Sequence, residues 1–286
     1  MPTRDERRDA AAKNLALMRG AFASETKATV EAARVYENGE GRELPVAEGE
    51  GETAISVTTD FAPKAVFSAQ GKVVVVDPCS FTRPGGAYED GSFGPEQILC
   101  AESNLYPALR SCKELYHDKN RGYSCGMLFT DRALYLPEVA FVRDGVIRRA
   151  DVLAIPEPVR ARAIENHRSE RECEHTLADR IEALLRIAAA NGAETLVVGA
   201  IGCGPQGFAP ELPISLFKAW IEAHPGAIGR IVFAVPRASF DAFDAAFGEK
   251  KAPEPEVAPT AVADEDAEDD FDFDPADLPE GVTLRA

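Results

Sequence analysis

With 286 residues, of which 45% are apolar, the chain can bury a sizeable core in one large domain or two small ones. Its formal net charge of −17 is uneven: from Glu249 onward thirteen acidic and three basic residues carry −10, which leaves −7 on the body. That balance excludes a broad nucleic-acid-binding surface, which needs clustered Lys and Arg to release counterions, while leaving room for a nucleotide pocket. The six cysteines, at positions 79, 100, 112, 125, 173 and 203, contain no CxxC pair and read as free thiols in a reducing cytoplasm. No run of about 18 apolar residues occurs, the length a spanning helix requires, and the charged N-terminus lacks an apolar core. A soluble cytoplasmic monomer is expected.

Arg4 to about Glu37 is rich in Ala, Glu, Arg and Lys. Leu15, Met18, Phe22, Val30 and Val35 form a helical stripe around a weak point at Gly20, so two helices or one broken helix are expected. Asn38 to Gly51 reads as loop, and Thr53 to Thr58 alternates like a strand. Thr59 and Asp60 are candidate caps for a short helix leading towards Gly71. Val73 to Val76 are four consecutive β-branched residues, the pattern of a strand covered on both faces, which Asp77-Pro78 ends. Pro84-Gly85-Gly86 then allows a sharp turn or close approach of a ligand, and Gly91 and Gly94 loosen the return. Pro95 suits the first position of a helix, with Glu96 and Gln97 in its first turn.

The helical spacing of Ile98, Leu99 and Leu105 is broken near Pro107, which is expected to start another segment through Leu115. Cys112 to Tyr123 is irregular. Met127 to Thr130, Ala133 to Leu136 and Val139 to Val142 read as strands of a meander or hairpin with a turn at Asp144-Gly145. Asp151 to Ile155 is a short buried strand, and Val159 to Ala190 is helical and closed by Asn191-Gly192. A second buried strand, Leu196 to Val198, opens into GAIGCGPQG; Pro213 to Ala223, Ile231 to Val235 and Ala238 to Phe247 follow as helix, strand and helix. Alternation of strands and helices gives a layered α/β fold without internal repeats. From Gly248 the composition shifts to Ala, Pro, Glu and Asp, which reads as a disordered acidic tail over 249–286 beside a body spanning 1–248. Phe271, Phe273 and Leu278, interleaved with acids, are a candidate docking motif in that tail.

Glycine loops at the carboxyl ends of adjacent strands, each followed by a helix, make a cradle of N–H groups for anions, a diphosphate above all. Neither loop fits a dinucleotide or Walker fingerprint. RPGGAYEDG has no GxGxxG, no GxxxxGK[ST] occurs, and Gly202-x-Gly204-x-x-Gly207 lacks the acidic residue that would read a ribose.

Taken together, these residues resemble the microbial-type poly(ADP-ribose) glycohydrolase family, a branch of the macrodomain fold. That family's hallmark is a strand, Asn-Pro-Gly-Gly-Gly, six to eight residues, Gln-Glu-Glu, and a helix carrying Leu-Cys and Ser-x-Leu-Tyr. Here the corresponding residues are Arg83-Pro84-Gly85-Gly86-Ala87, then Pro95-Glu96-Gln97, Leu99-Cys100 and Ser103-Asn104-Leu105-Tyr106. Leu134 to Arg143, Ala154 to Pro158 and Leu196 to Gly204 are similar to later family segments, so the resemblance covers most of Arg4 to Arg237. It implies a macrodomain-like three-layer α/β/α sandwich with a mostly parallel or mixed sheet.

It also implies binding of ADP-ribose, or of ADP-ribosylated protein or nucleic acid, with no cofactor and no metal. By position, Gly85, Gly86 and Ala87 together with Gly202, Cys203 and Gly204 would hold the diphosphate, Asp77 would touch the nucleotide, and Gln97 takes the catalytic place. Here the chain departs from the pattern. Cleavage of a ribosyl bond needs a carboxyl group, which an amide cannot replace. Gln97 favours a reader that binds without cleaving; Glu96, brought to the ribose by a one-residue change of helix phase, or Glu89 or Asp90 in the loop, would restore a hydrolase. Arg83 stands for Asn and could aid the diphosphate. Gln206 takes the place of a family aromatic near the ribose, with Phe208 as a candidate stacking substitute.

Other candidates have plainer readings. Cys173 and His175, with His167 and Glu174, lie on different faces of a helix and do not make a metal site. Cys203 reads as a small buried residue beside backbone donors rather than a reactive thiol, and Asp77 as either a loop cap or a ligand contact.

Overall fold

The computed structural model describes residues 2–49 and 51–248; the expected acidic tail and its docking motif lie outside the described residues. In chain order the elements begin with α1 (Arg4–Ala21), α2 (Ala23–Glu31), β1 (Arg34–Tyr36), α3 (Glu40–Glu43), β2 (Ala54–Thr58) and α4 (Ala62–Ser68). They continue with β3 (Val73–Asp77), α5 (Pro95–Ala101), α6 (Leu105–Ser111), α7 (His117–Asn120), β4 (Ala133–Arg143) and β5 (Val146–Ala154). The last are α8 (Arg160–Glu165), α9 (Glu170–Ala190), β6 (Thr195–Val198), α10 (Glu211–Ala223), β7 (Arg230–Ala234) and α11 (Arg237–Phe247).

The strands form one mixed sheet in the order β1-β4-β5-β3-β6-β7-β2. β5, β3, β6, β7 and β2 run parallel, while β4 is antiparallel to both β1 and β5. Every residue of β3 is buried, as its β-branched run requires of a strand with helices on both faces. Period-two alternation sends Val74 and Val76 into the layer with α9, α10 and α11, and Val73 and Val75 into the layer with α1, α4, α5 and α6. The result is a three-layer α/β/α sandwich. Among the described residues no helix is long and apolar enough to cross a membrane.

Several local expectations change in the structure. The N-terminal helical stripe breaks at Phe22, and Arg34–Tyr36 pairs with β4 as an edge strand instead of prolonging the helix. The Asn38 to Gly51 loop holds α3, a single turn. Neither Thr59 nor Asp60 caps α4: Phe61 is its N-cap residue without a side-chain bond, and Asp60 instead pairs with Lys64 at 2.9 Å. The split after α5 falls before Leu105, so Pro107 lies inside the first turn of α6, where its missing N–H costs no helix bond. Met127 and Phe129 have φ of 69° and 59°, which ends any strand there. β4 and β5 are one long hairpin turned at Asp144-Gly145, where positive φ at both residues matches the strands' twist.

Candidate functional site

β3 is the switch point of the sheet. The chain leaves it towards β5 on one side and later returns to β6 on the other, so the loops following β3 and β6 part at their carboxyl ends and leave a crevice. Three segments border it: residues 78–94 after β3, 155–159 after β5 and 199–209 after β6.

In the first loop Gly85 and Gly86 have φ of 65° and 57°. A Cβ on Gly85 would meet the Tyr106 ring at 2.3 Å, and one on Gly86 would lie 2.8 Å from Gln97 Nε2 and 3.2 Å from Glu96 Oε2. Only glycine fits here, because both the backbone conformation and the space forbid a side chain. The far half of the loop is fastened to α1. Arg4 Nε donates to the Asp90 carbonyl at 2.9 Å, Arg7 Nε to the Gly91 carbonyl at 2.8 Å, and Asn14 Nδ2 to Tyr88 Oη at 3.1 Å. In the second loop Gly202 has φ of 74°, and its carbonyl accepts from Phe208 N at 2.7 Å, closing a tight turn that leaves Gly204 exposed. Among the described residues, the Ala87 and Gly204 N–H groups donate to no backbone acceptor.

Pro95 does start α5, and this places Glu96 and Gln97 differently. Glu96 is buried at 4% exposure, and its Oε2 accepts from Ser80 N at 3.1 Å while Oε1 has no partner. Burial pushes its carboxyl up to about 8, against the opposing pull of the Ser80 and Gly85 amides. At neutral pH it therefore keeps its proton. Gln97 is half-buried, and its Nε2 donates to the Gly85 carbonyl at 3.1 Å and to Glu96 Oε2 at 3.4 Å. The two alternative acids lie on the surface side of the loop: Asp90 pairs with Arg83 at 2.7 Å and Glu89 with Arg110 at 3.8 Å. Arg83, expected at the diphosphate, is thus engaged by Asp90.

Asp77 lies beneath the crevice and not on its surface, with no exposure and both carboxyl oxygens unpartnered. Its carbonyl, and not its side chain, accepts from Cys79 N at 2.7 Å and Ile155 N at 3.0 Å, so the carboxyl neither caps the loop nor reaches a surface. Burial, followed by the nearby Glu96 and Glu157 carboxyls, raises its pKa well above the usual range. Phe208 is likewise turned inward, 6% exposed and packed in the core beside Gly202, so it offers no open face for stacking, whereas Gln206 is exposed. Burial raises the Cys203 thiol to about 12, which removes it as a nucleophile.

Several neighbours carry no signal in the chain's local pattern. Glu157 sits in the segment after β5 with its carboxyl raised by burial to about 7, partly offset by the Gly202 amide and Arg180. Arg180, fully buried on α9, donates to the Pro156 carbonyl and, at 3.3 Å, to that of Leu128, tying this segment to the stretch before β4. A cavity of about 440 Å³ borders the first loop at Phe81 and Thr82; Asn120, Tyr123, Met127 and Phe129 complete much of its wall. Tyr123 comes from an irregular stretch without periodicity, and Phe129 from one that reads as a strand. No cluster of three or more His, Cys, Asp or Glu among the described residues is arranged to hold a metal ion.

Residues 12–144 match the family model described as microbial-type PARG, catalytic domain. Among solved structures, the poly(ADP-ribose) glycohydrolase from Thermomonospora curvata is 27% identical with a TM-score of 0.71, covering 84% of this chain and 97% of that one. A structure of that glycohydrolase bound to the inhibitor ADP-HPD is 26% identical, with a TM-score of 0.71 and coverage of 86% and 99%. The glycohydrolase from Deinococcus radiodurans in complex with ADP-ribose is 26% identical, with a TM-score of 0.68 and coverage of 78% and 94%. No curated protein matches the chain. In sequence over residues 12–144, and in fold over most of its length, this chain is similar to the microbial-type poly(ADP-ribose) glycohydrolases, with a macrodomain-like architecture.

Proposed function

We propose that the protein binds ADP-ribose across its two glycine loops and hydrolyses the glycosidic bond that joins an ADP-ribosyl group to a modified macromolecule. The observation that carries this reading is Glu96: a buried carboxyl group, protonated at neutral pH, anchored by the Ser80 amide and set against the Gly85–Gly86 backbone. The free amides of Ala87 and Gly204 suit the charge of a diphosphate, and the cavity beside Phe81 has room for the nucleoside end. Similarity to glycohydrolases solved with ADP-ribose and with ADP-HPD supports the ligand class.

In the proposed reaction Glu96 gives its proton to the leaving oxygen as the bond from the ribose C1 breaks through an oxocarbenium-like state. The Glu96 carboxylate then takes a proton from the water that attacks C1, which regenerates the acid. Gln97, held on the Gly85 carbonyl, orients the loop and can hydrogen-bond ribose hydroxyls. A second reading, a reader that binds without cleaving, is favoured by the amide at position 97. The same reading takes ADP-ribosylated protein or nucleic acid in the cytoplasm as the substrate.

Calorimetry with free ADP-ribose tests binding; no heat at high micromolar ligand overturns both readings. Release of ADP-ribose from a modified substrate then separates them. Hydrolysis requires wild-type turnover that Glu96→Gln lowers by about 10² to 10⁴ while ADP-ribose still binds. Turnover that is absent in the wild type and gained in Gln97→Glu would identify the reader.

A further inference from the structure

The segment after β5 runs along the crevice at the switch point of the sheet and is tied down at both ends. Ile155 N donates to the Asp77 carbonyl at 3.0 Å, Val159 N to that of Met127 at 2.9 Å, and Ala161 N to that of Gln206 in the second loop at 3.0 Å. Arg180 holds the Pro156 carbonyl between them. With a proline on either side, Glu157 has little backbone freedom, so the fold decides where its side chain goes. Glu157 is half-buried, and its carboxyl accepts from the Gly202 amide. Gly202 follows β6, whereas Glu157 follows β5, and β3 lies between those two strands. The contact therefore bridges the crevice across the end of β3, near the Asp77 carboxyl that Glu157 helps to keep protonated.

The groups around this bridge are mostly acidic or neutral. Asp77 at the end of β3 and Glu96 on α5 are buried carboxyls, and burial keeps the thiols of Cys79 and Cys203 neutral, with Glu211 of α10 beyond Cys203. Arg180 of α9, beside the buried phenol of Tyr116, directs its guanidinium to the Pro156 and Leu128 carbonyls and leaves Glu157 without an ion pair. In the flanking segments Arg83 is paired with Asp90 and Arg160 with Glu170. An ionised Glu157 is thus an anion placed on an amide of the second glycine loop, with no cation set to offset both it and a second anion arriving there. Burial raises its carboxyl to about 7, so at neutral pH both forms are populated, and a bound diphosphate nearby favours the neutral one further.

We propose that Glu157 stands in for an anion at the Gly202 amide of the ligand-free protein, and that the ligand's diphosphate takes its place as the Glu157 carboxyl picks up a proton from solvent, so that binding and proton uptake are linked. This rests on the ADP-ribosyl reading above. The diphosphate itself stays fully ionised around neutral pH, so the pH dependence belongs to the protein.

Calorimetry of the full-length chain with ADP-ribose between about pH 6 and about pH 8.5, repeated in phosphate and in Tris, reads both affinity and the protons taken up, because the two buffers differ in ionisation enthalpy. Affinity should fall as pH rises through about 7, by up to about tenfold per pH unit, the limit for one linked proton, and uptake should approach one proton at the alkaline end. Glu157→Gln, which keeps an acceptor for the Gly202 amide but cannot ionise, should bind as the wild type does at about pH 6 and about tenfold more tightly at about pH 8, with no uptake. Glu96→Gln should retain the slope. Wild-type affinity that does not change with pH, binding without proton uptake, or a slope that persists in Glu157→Gln and so belongs to Glu96 or Asp77, would each overturn the proposal. The wild-type uptake needs no variant, and thermal melting of Glu157→Gln guards against misfolding. A chain that binds ADP-ribose without the linkage sinks this inference alone, whereas one that binds no ADP-ribose at any pH sinks the functional reading as well.

Discussion

Glu96 and Gln97 are adjacent on the first turn of α5 but occupy different media, one buried and one at the loop's edge. The physical consequence is a pH dependence. Glu96 has a pKa of about 8 in the folded chain against 4.5 when exposed, so between these values the folded state binds more protons than the unfolded state. Stability of the ligand-free protein should therefore fall as pH rises from about 4.5 to about 8, and Asp77, also raised, adds a change of the same sign. Melting temperature followed across that range should show a shallower fall in Glu96→Gln; an unchanged slope would show that Glu96 is not held protonated. If Glu96 is the acid, kcat/KM should also decline above about pH 8 as the proton is lost. The order of the two residues was legible in the sequence. Which of them is desolvated was not, because that depends on Ser80 and the backbone of Gly85 and Gly86, which close over Glu96 from the other end of the loop.

At the scale of elements, α1 acts on the site without touching the crevice. Its apolar stripe through Leu15 and Met18 is readable as a buried helix face, and a capping box at Thr3 and Glu6 fixes where it starts. Its arginines carry no such pattern, yet Arg4 and Arg7 grip the carbonyls of Asp90 and Gly91. Gly91 has no room for a side chain there, since a Cβ would lie 2.2 Å from the Arg4 carbonyl. Arg7→Ala is expected to speed amide exchange across residues 88–94 and to lower affinity for ADP-ribose roughly 2- to 10-fold, the effect of one lost hydrogen bond. Exchange confined to α1, with the loop unaffected, would show that the clamp does not position the site. The same contrast appears in the second loop. GAIGCG is recognisable as a turn, but the inward packing of Phe208 against Gly202 follows from contact with α9, where Leu177 lies 2.6 Å from a Cβ built on Gly202.

On the scale of the whole molecule, the site draws on segments from Asp77 to Phe208, all within the body that precedes the acidic segment. A chain ending at Gly248 is expected to keep its melting temperature and its affinity for ADP-ribose, measured by calorimetry at fixed salt. A lost fold or ligand would place a determinant of either in residues 249–286. Alternation of strand and helix made the layered class legible, and the long hairpin was foreshadowed by Asp144-Gly145, although Pro137 and the register shift between Leu136 and Val139 made one strand resemble two.

By itself the sequence determined the local parts: the buried β3 run, the two glycine loops, the start of α5 at Pro95 and the family resemblance these carry. Such features depend on neighbours along the chain, through backbone conformation, hydrophobic period and helix starts. Only the tertiary structure set β6 beside β3 so that the loops face one crevice, sank Asp77 and Glu96 out of water, and brought Glu157 to Gly202. Those outcomes depend on which distant groups exclude solvent, and desolvation, which decides whether a carboxyl keeps its proton, is a property of the packed molecule and not of a stretch of chain.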